Sequence, residues 1–192
     1  MNAATAKGSL AQTLFLDDKK YQILRFLALA FLGTLILALS AKIKVPFYPV
    51  PMTLQTLAVF GIAAAYGQRL AVATVALYLI EGLLGFPVFA SEAAGPTYVF
   101  GPTGGYLAGF LLAAYIVGTA ADRGWSRQPV KMFGAMLLAD ALVFLVGFSW
   151  LAMAIGAAKA FQFGVVPFLL SDLLKIALAT VAVAALWKLI KR

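Results

Sequence analysis

The sequence has 192 residues, of which 64% are hydrophobic and 11% are charged, and its formal net charge is +8. Soluble domains contain roughly 45–50% apolar and about 25% charged residues, so this composition excludes an ordinary soluble domain and indicates an integral membrane protein. Because the sequence contains no cysteine and no histidine, disulfides, iron–sulfur clusters and the commonest general base are excluded as well.

The N-terminal residues 1–22 are largely polar. They lack the apolar core and the small-residue cleavage site of a secretory signal. We therefore predict a short cytoplasmic tail over residues 1–22, followed by one membrane domain over residues 23–192.

Six apolar segments follow this tail. They cover residues 24–41, 54–66, 70–84, 106–121, 132–153 and 168–190. The first, fifth and sixth are long enough for a hydrocarbon core that needs about 20 helical residues, whereas the other three are shorter. The pattern predicts an all-α membrane protein with six transmembrane helices.

The basic residues are distributed unevenly between the two sides of this topology. With a cytoplasmic N-terminus, the outside receives only Lys42, Lys44 and Lys159. The cytoplasm receives Lys7, Lys19, Lys20, Arg25, Arg69, Arg123, Arg127, Lys131, Lys188, Lys191 and Arg192. Since cytoplasmic loops carry an excess of Lys and Arg, this asymmetry predicts that both termini are cytoplasmic.

Two outer connections differ from ordinary turns. Residues 45–52 contain three prolines, which exclude a helix and favour an extended course. Residues 86–105 form a connection of about twenty residues that is rich in Gly and Pro yet still apolar and aromatic. Because an apolar loop needs cover, we predict that residues 42–53 and 85–105 are lids over an outward-facing pocket.

The last apolar segment carries two charges, Asp172 and Lys175, which share one helix face at a spacing of three residues. A charge inside the bilayer costs about 2.5 to 3.5 kcal/mol at a helix centre. One interpretation is a local ion pair that only lowers this cost. The other is a ligand site in which Asp172 accepts from N–H donors and Lys175 pairs with an anion.

Four stretches in this order resemble the signature motifs of the BioY family, the biotin-binding S components of energy-coupling factor (ECF) transporters. They are VPMTLQTL at 50–57, GFPVF at 85–89, GPTGGYLAGF at 101–110 and PFLLSDLLK at 167–175. In the last motif the family usually has Pro-Gly before the aspartate, where this sequence has Leu170 and Ser171.

The resemblance implies a six-helix S component in the bacterial cytoplasmic membrane, with biotin bound at the outer side. It also implies a transmembrane coupling subunit and a pair of ABC-type ATPases as partners. The chain has no phosphate-binding loop of the Walker type, so we expect no nucleotide site and no cofactor in it. A stand-alone biotin facilitator and an S component for another small vitamin remain alternatives.

The resemblance also implies a set of ligand-binding residues. They are Asp172, Lys175, Gln55, Thr53, Tyr78, Glu81 and Tyr106. In biotin, the ureido N–H groups suit Asp172, the valerate carboxylate suits Lys175, and aromatic side chains of the lids suit the ring system.

Simpler roles are open for five of these residues. Thr53 and Gln55 also fit a helix start, since Thr before an apolar run is a usual N-terminal signal. Glu81 also fits a structural ion pair with one of the nearby lysines. Tyr78 and Tyr106 also fit the interfacial aromatic belt of a membrane protein.

Small residues at a spacing of four mark two possible helix–helix contacts. Ala30, Thr34 and Ala38 form a stripe on the first segment, along which another helix can approach closely. The resemblance implies that this stripe docks the coupling subunit, and packing within the bundle is the alternative. For Gly105 and Gly109 in the fourth segment we predict internal packing.

The sequence offers little for catalysis. It has no histidine for a Ser–His dyad or a zinc site. An aspartyl mechanism needs two close carboxylates, and the predicted topology places Asp140 and Asp172 in opposite halves of the membrane. We therefore predict that the protein is not an enzyme. Asp140 lies near mid-membrane with no sequence neighbour to balance its charge, and the sequence assigns it no role.

Overall fold

A computed structural model describes residues 8–11, 21–91 and 94–190. Most of the predicted tail, residues 1–7 and 12–20, lies outside the described residues, as do Lys191 and Arg192. Within this tail, residues 8–11 are buried, and the Ser9 hydroxyl donates to the Tyr66 carbonyl oxygen at 2.9 Å. Tyr21 and Gln22 are exposed.

The described chain is almost entirely helical. Its helices are α1 (Gln22–Lys42), α2 (Gln55–Tyr66), α3 (Gln68–Leu83), α4 (Pro96–Val99), α5 (Gly104–Asp122), α6 (Pro129–Ile155), α7 (Ala157–Gly164) and α8 (Leu169–Ile190), with a 3-10 turn at Trp125–Arg127. The six predicted segments correspond to α1, α2, α3, α5, α6 and α8.

Four of these helices, α1, α5, α6 and α8, are long and apolar enough to cross a membrane. The protein is thus a multi-pass membrane protein. Helices α2 and α3 are shorter, at 12 and 16 residues. Helix α5 extends the fourth predicted segment by two residues at its start and one at its end, which gives it 19 residues.

Helix α5 is the central helix of the bundle. In its apolar window 61% of the residues are buried, against 28% in α1 and in α6. A Cβ on Gly105 would lie 2.4 Å from the Trp150 Cβ, and a Cβ on Gly109 would lie 2.8 Å from the Val143 Cα. The two glycines therefore allow α5 and α6 to approach closely, which confirms the prediction of internal packing.

The small-residue stripe of α1 lies partly inside the bundle. Ala30 and Thr34 are only 3% and 4% exposed, and a Cβ on the adjacent Gly33 would lie 2.4 Å from the Thr74 side chain of α3. Ala38 is half-buried. These residues thus have an intramolecular role, and a partner helix could contact the stripe only beside α3.

A short antiparallel ribbon follows α1. Strand β1 (Lys44–Val45) pairs with β2 (Met52–Thr53), with Lys44 opposite Thr53 and Val45 opposite Met52. The predicted extended course is thus found at the two ends of the segment, and residues 46–51 connect the strands. We call the end of the bundle with this ribbon and residues 84–103 the ribbon end.

The opposite end carries the short connections and many of the basic residues, and we call it the basic end. There the Gln68 backbone N–H donates to Asp122 Oδ2 at 3.0 Å, which joins the start of α3 to the end of α5. The Arg127 guanidinium lies over the Trp187 ring at 4.1 Å from the ring centroid.

Candidate ligand-binding site

The bundle encloses a cavity at the ribbon end. Its empty volume is about 530 Å³, which includes space open to solvent. The apolar part of the lining is largely aromatic. These aromatic side chains lie in the connection before α5, on α5 and α6, and at the residue before α8. They are Tyr98, Tyr106, Phe110, Phe144 and Phe168. The charged groups among the described lining residues are Asp172 and Lys175.

These two charges form an ion pair on the first turns of α8. Lys175 Nζ lies 2.6 Å from Asp172 Oδ1, and the two residues are only 7% and 4% exposed. The predicted local ion pair is therefore present. It does not exclude ligand binding, because the pair lines the cavity and each group retains hydrogen-bonding capacity.

Ser171, where the family usually has glycine, lies beside this pair. Its hydroxyl donates to the Phe168 carbonyl oxygen at 3.0 Å and lies 3.5 Å from Asp172 Oδ1. The Asp172 backbone N–H donates to the same carbonyl at 2.8 Å. The departure from the family motif thus leaves Asp172 in the first turn of α8 and adds a hydroxyl next to its carboxylate.

A chain of hydrogen bonds connects the start of α2 to the long loop. The Gln55 backbone N–H donates to Thr53 Oγ1 at 3.2 Å, so Thr53 has the helix-start role given above as an alternative. Gln55 Nε2 donates to the Tyr78 hydroxyl at 2.8 Å, and this hydroxyl donates to the Val88 carbonyl oxygen at 3.0 Å. Thr53 and Gln55 line the cavity, whereas Tyr78 lies behind Gln55.

Tyr106 and Glu81 have different positions. The Tyr106 ring lines the cavity, and its hydroxyl donates to the Gly164 carbonyl oxygen at 2.8 Å, which holds the end of α7. Glu81 lies outside the cavity lining, in a groove between α1 and α3 that Thr34 and Ala38 also line. The structure therefore brings the predicted site residues together except for Glu81, with Tyr78 one contact removed.

The long loop is fixed to the ribbon by two lysines that the sequence analysis did not assign to the site. Lys42 Nζ donates to the carbonyl oxygens of Phe89 and Ser91 at 2.7 and 3.3 Å, and Lys44 Nζ donates to that of Ala90. Ala90 lines the cavity. The available sequence signal was the position of both lysines directly after the first apolar segment, at the same predicted outer side as the long loop.

Aromatic packing holds the same loop from the inside. The Phe89 ring stacks on Tyr98 with centroids 4.7 Å apart and meets Tyr78 edge-on at 5.4 Å. Burial raises the pKa of the Tyr98 hydroxyl, whose ring lines the cavity. Trp150 Nε1 donates to the Gly101 carbonyl oxygen at 2.9 Å and fixes the end of the loop.

Asp140 lies closer to the cavity than the sequence predicts. Asp140 is 7% exposed. Val143 and Phe144, about one turn further along α6, line the cavity. Asp172 and Lys175 are within electrostatic reach of its carboxyl group. The two carboxyl groups are thus within electrostatic reach of each other, which the sequence did not predict.

Comparison with known proteins agrees with these features. Residues 9–192 match the BioY family. A probable biotin transporter BioY of Pyrococcus horikoshii is 37% identical over 144 residues, covering 75% of this chain and 85% of that protein. The biotin transporter BioY of Thermotoga maritima is 35% identical over 167 residues, covering 86% of this chain and 98% of that protein.

A solved structure has the same fold. The 2.1 Å crystal structure of the S component for biotin from an ECF-type ABC transporter superposes with a TM-score of 0.79, at 22% identity, covering 89% of this chain and 95% of that chain. The predicted S-component fold is thus confirmed. These relatives are transport proteins, so the prediction that the chain is not an enzyme is also confirmed. The chain belongs to the BioY family.

Proposed function

We propose that this chain is the biotin-binding S component of an ECF-type transporter and takes up biotin across the bacterial cytoplasmic membrane. The observation that carries the proposal is the buried Asp172–Lys175 pair in an otherwise largely apolar cavity. Buried charges are costly and mark binding sites in membrane proteins. Membership of the family and the names of the relatives support biotin as the ligand.

We infer that six helices cross the membrane, with α2 and α3 extended by their connections to the necessary length. The basic residues at the basic end support a cytoplasmic location for that end and for both termini. The ribbon end then faces outward, where biotin enters. The ribbon and residues 84–103 lie over the cavity as its lids.

The geometry of the ion pair determines which part of biotin it suits. In a ureido group the N–H donors and the carbonyl acceptor are adjacent, and in the structure the acceptor Asp172 Oδ1 and the donor Lys175 Nζ are also adjacent, at 2.6 Å. The carboxylate of biotin is separated from the ureido N–H by roughly eight covalent bonds of about 1.5 Å each. We therefore propose that both side chains bind the ureido end.

This arrangement differs from the sequence prediction, in which Lys175 binds the valerate carboxylate. With Lys175 against the ureido carbonyl, the valerate chain extends toward the opening of the cavity. The apolar ring of biotin then lies among Phe144, Phe168 and Tyr98, where burial of its apolar surface stabilises the complex.

The partners proposed for the chain are the transmembrane coupling subunit and the ABC-type ATPases of an ECF transporter. We propose that ATP is bound by those subunits and that this chain needs no cofactor. The coupling subunit would approach the stripe of Ala30, Thr34 and Ala38 beside α3. A stand-alone facilitator differs in needing no partner, so biotin uptake by cells that lack every coupling subunit would favour it.

Calorimetry of the purified protein in detergent tests the ligand. Biotin should bind with a stoichiometry of one per chain, and thiamine and riboflavin should not bind. Binding of another vitamin without binding of biotin would show that the proposed ligand is wrong.

A further inference from the structure

The buried charges at the cavity do not balance. The Asp172–Lys175 pair is neutral as a unit, and Asp140 adds a second carboxyl group within electrostatic reach of both. Among the described residues, Lys175 is the positive group that lines the cavity, and it is already paired with Asp172. Lys42 and Lys44 are occupied by carbonyl oxygens of the long loop. An ionised Asp140 would thus give this region a net negative charge.

One of the two carboxyl oxygens of Asp140 is buried without a hydrogen bond to any described residue. Its Oδ1 atom is fully buried and has no hydrogen-bond partner in the part of the chain that the structure describes. A buried carboxylate without donors is strongly disfavoured relative to its protonated form. The geometry therefore favours a proton on Asp140.

The charged and titratable groups on the elements around α6 supply no further positive charge to Asp140 among the described residues. Helices α5, α7 and α8 and the 3-10 turn pack against α6. Their titratable residues are Tyr106, Tyr115 and Asp122 on α5, Lys159 on α7, Arg127 in the turn, and Asp172, Lys175 and Lys188 on α8, and α6 adds Lys131. Of these, Asp172 and Lys175 are the groups within electrostatic reach of Asp140.

Whether Asp140 is protonated affects how Asp172 and Lys175 can bind the ligand. For the ureido end to bind, Asp172 must be an ionised acceptor and Lys175 must direct a proton at the ligand carbonyl. An ionised Asp140 would compete for Lys175 and repel Asp172. We propose that Asp140 is a proton-binding site and that the cavity binds biotin only when Asp140 carries its proton, so that binding and protonation are linked.

This coupling makes the affinity for biotin depend on pH. If the bound form holds a proton that the empty protein loses at higher pH, binding takes up that proton. Over the pH range in which Asp172 stays ionised, the affinity for biotin then falls as the pH rises, by up to about tenfold per pH unit for one proton. Since the proton acts on the ureido end, biotin amide should show the same dependence as biotin.

The test is calorimetry of biotin binding from mildly acidic to mildly alkaline pH, in buffers that differ in ionisation enthalpy. Wild type should take up a proton on binding in the alkaline part of this range. Asp140→Asn keeps the shape of the side chain but resembles its neutral form permanently. This variant should therefore bind biotin with an affinity that does not change with pH.

Asp122→Asn is the control, since it removes a carboxylate at the basic end, away from the cavity, and should keep the wild-type pH dependence. An affinity independent of pH in wild type would overturn the proposal, as would an Asp140→Asn variant that keeps the pH dependence. So would an Asp140→Asn variant that unfolds at the wild-type temperature yet binds no biotin. The inference rests on the proposed function, but absence of biotin binding in wild type at every pH would refute that function itself.

Discussion

The ring of Phe89 occupies the space in which a side chain of Gly82 would lie. A Cβ built on Gly82 would be only 2.0 Å from Phe89 Cζ. Phe89 belongs to the long loop and Gly82 to the last turn of α3. The absence of a side chain at this one position therefore lets the loop insert an aromatic ring between α3 and the cavity, next to Tyr78 and Tyr98.

The first prediction is that Gly82→Ala destabilises the protein by about 1–3 kcal/mol, the usual cost of overpacking a filled core. Because Phe89 must move, the loop should also release biotin faster. Thermal unfolding in detergent and the dissociation rate of labelled biotin measure the two effects. Gly61→Ala is the matched control, since a Cβ there meets nothing within 4 Å. Equal stability of the two variants would contradict the packing argument.

The second prediction concerns the lysine bonds between ribbon and loop. Lys44→Met removes the donor to the Ala90 carbonyl oxygen while keeping an apolar side chain of similar length. Since Ala90 lines the cavity, we expect biotin to dissociate several-fold faster, in line with a loss of about 1 kcal/mol for a partly exposed hydrogen bond. Stopped-flow dissociation measures it.

Lys159→Met is the control for this experiment. Lys159 lies on the exposed helix α7 at the same end of the bundle and does not line the cavity. Its replacement changes the net charge by the same amount and should leave the dissociation rate unchanged. A similar acceleration in both variants would indicate a general electrostatic effect rather than a bond that holds the loop.

The sequence predicted the helices well because apolar length alone identifies segments that lie in a membrane. It missed the first residues of α5, since Gly104 and Gly105 are poor helix formers by propensity. Packing decides their conformation: a Cβ on either glycine would meet the Trp150 side chain. Such a contact between α5 and α6 cannot be read from one segment.

The proximity of Asp140 to Asp172 was not predicted from the sequence. Residues 154–167 separate the fifth and sixth predicted segments, and no element was predicted for them. In the structure this stretch contains α7, an eight-residue helix that spans about 12 Å and packs back against α6. Helix α8 also packs against α6, and Asp172 in its first turn is within electrostatic reach of Asp140, a relationship that neither segment shows alone.

The third prediction concerns the stripe on α1. Thr34 is 4% exposed and its hydroxyl donates to the Phe31 carbonyl oxygen at 3.0 Å, so Thr34→Leu removes this hydrogen bond and inserts a larger side chain between α1 and α3. We expect a loss of about 1–3 kcal/mol in stability. Thermal unfolding of the isolated protein measures it, with Leu35→Ala on the exposed side of α1 as the control.

Thr34→Leu also tests whether the stripe on α1 docks the coupling subunit. If the stripe also contacts the coupling subunit, Thr34→Leu should reduce co-purification with that subunit at a temperature where the variant is folded and still binds biotin. Full co-purification under these conditions would remove the stripe from the proposed interface and leave it a contact between α1 and α3.

The last prediction decides between two roles of Lys175 in binding. If Lys175 and Asp172 both bind the ureido end, Lys175→Met should weaken biotin and biotin amide alike. The loss should be about 1.5–3 kcal/mol for a charge-assisted hydrogen bond, or roughly 10- to 150-fold in affinity. The ratio of the two affinities would then stay at its wild-type value. Calorimetry with both ligands measures this ratio.

A ratio that shrinks toward one in Lys175→Met would instead show that Lys175 binds the valerate carboxylate, as the sequence analysis expected. Because Lys175→Met leaves Asp172 buried without its partner, it is compared with the double variant Asp172→Asn/Lys175→Met, which leaves no unpaired charge. Unchanged affinity for both ligands in both variants would contradict any ligand role for the pair. Asp172 and Lys175 would then be an ion pair that lowers the cost of two charges in the membrane, and biotin would be held by the other side chains of the cavity.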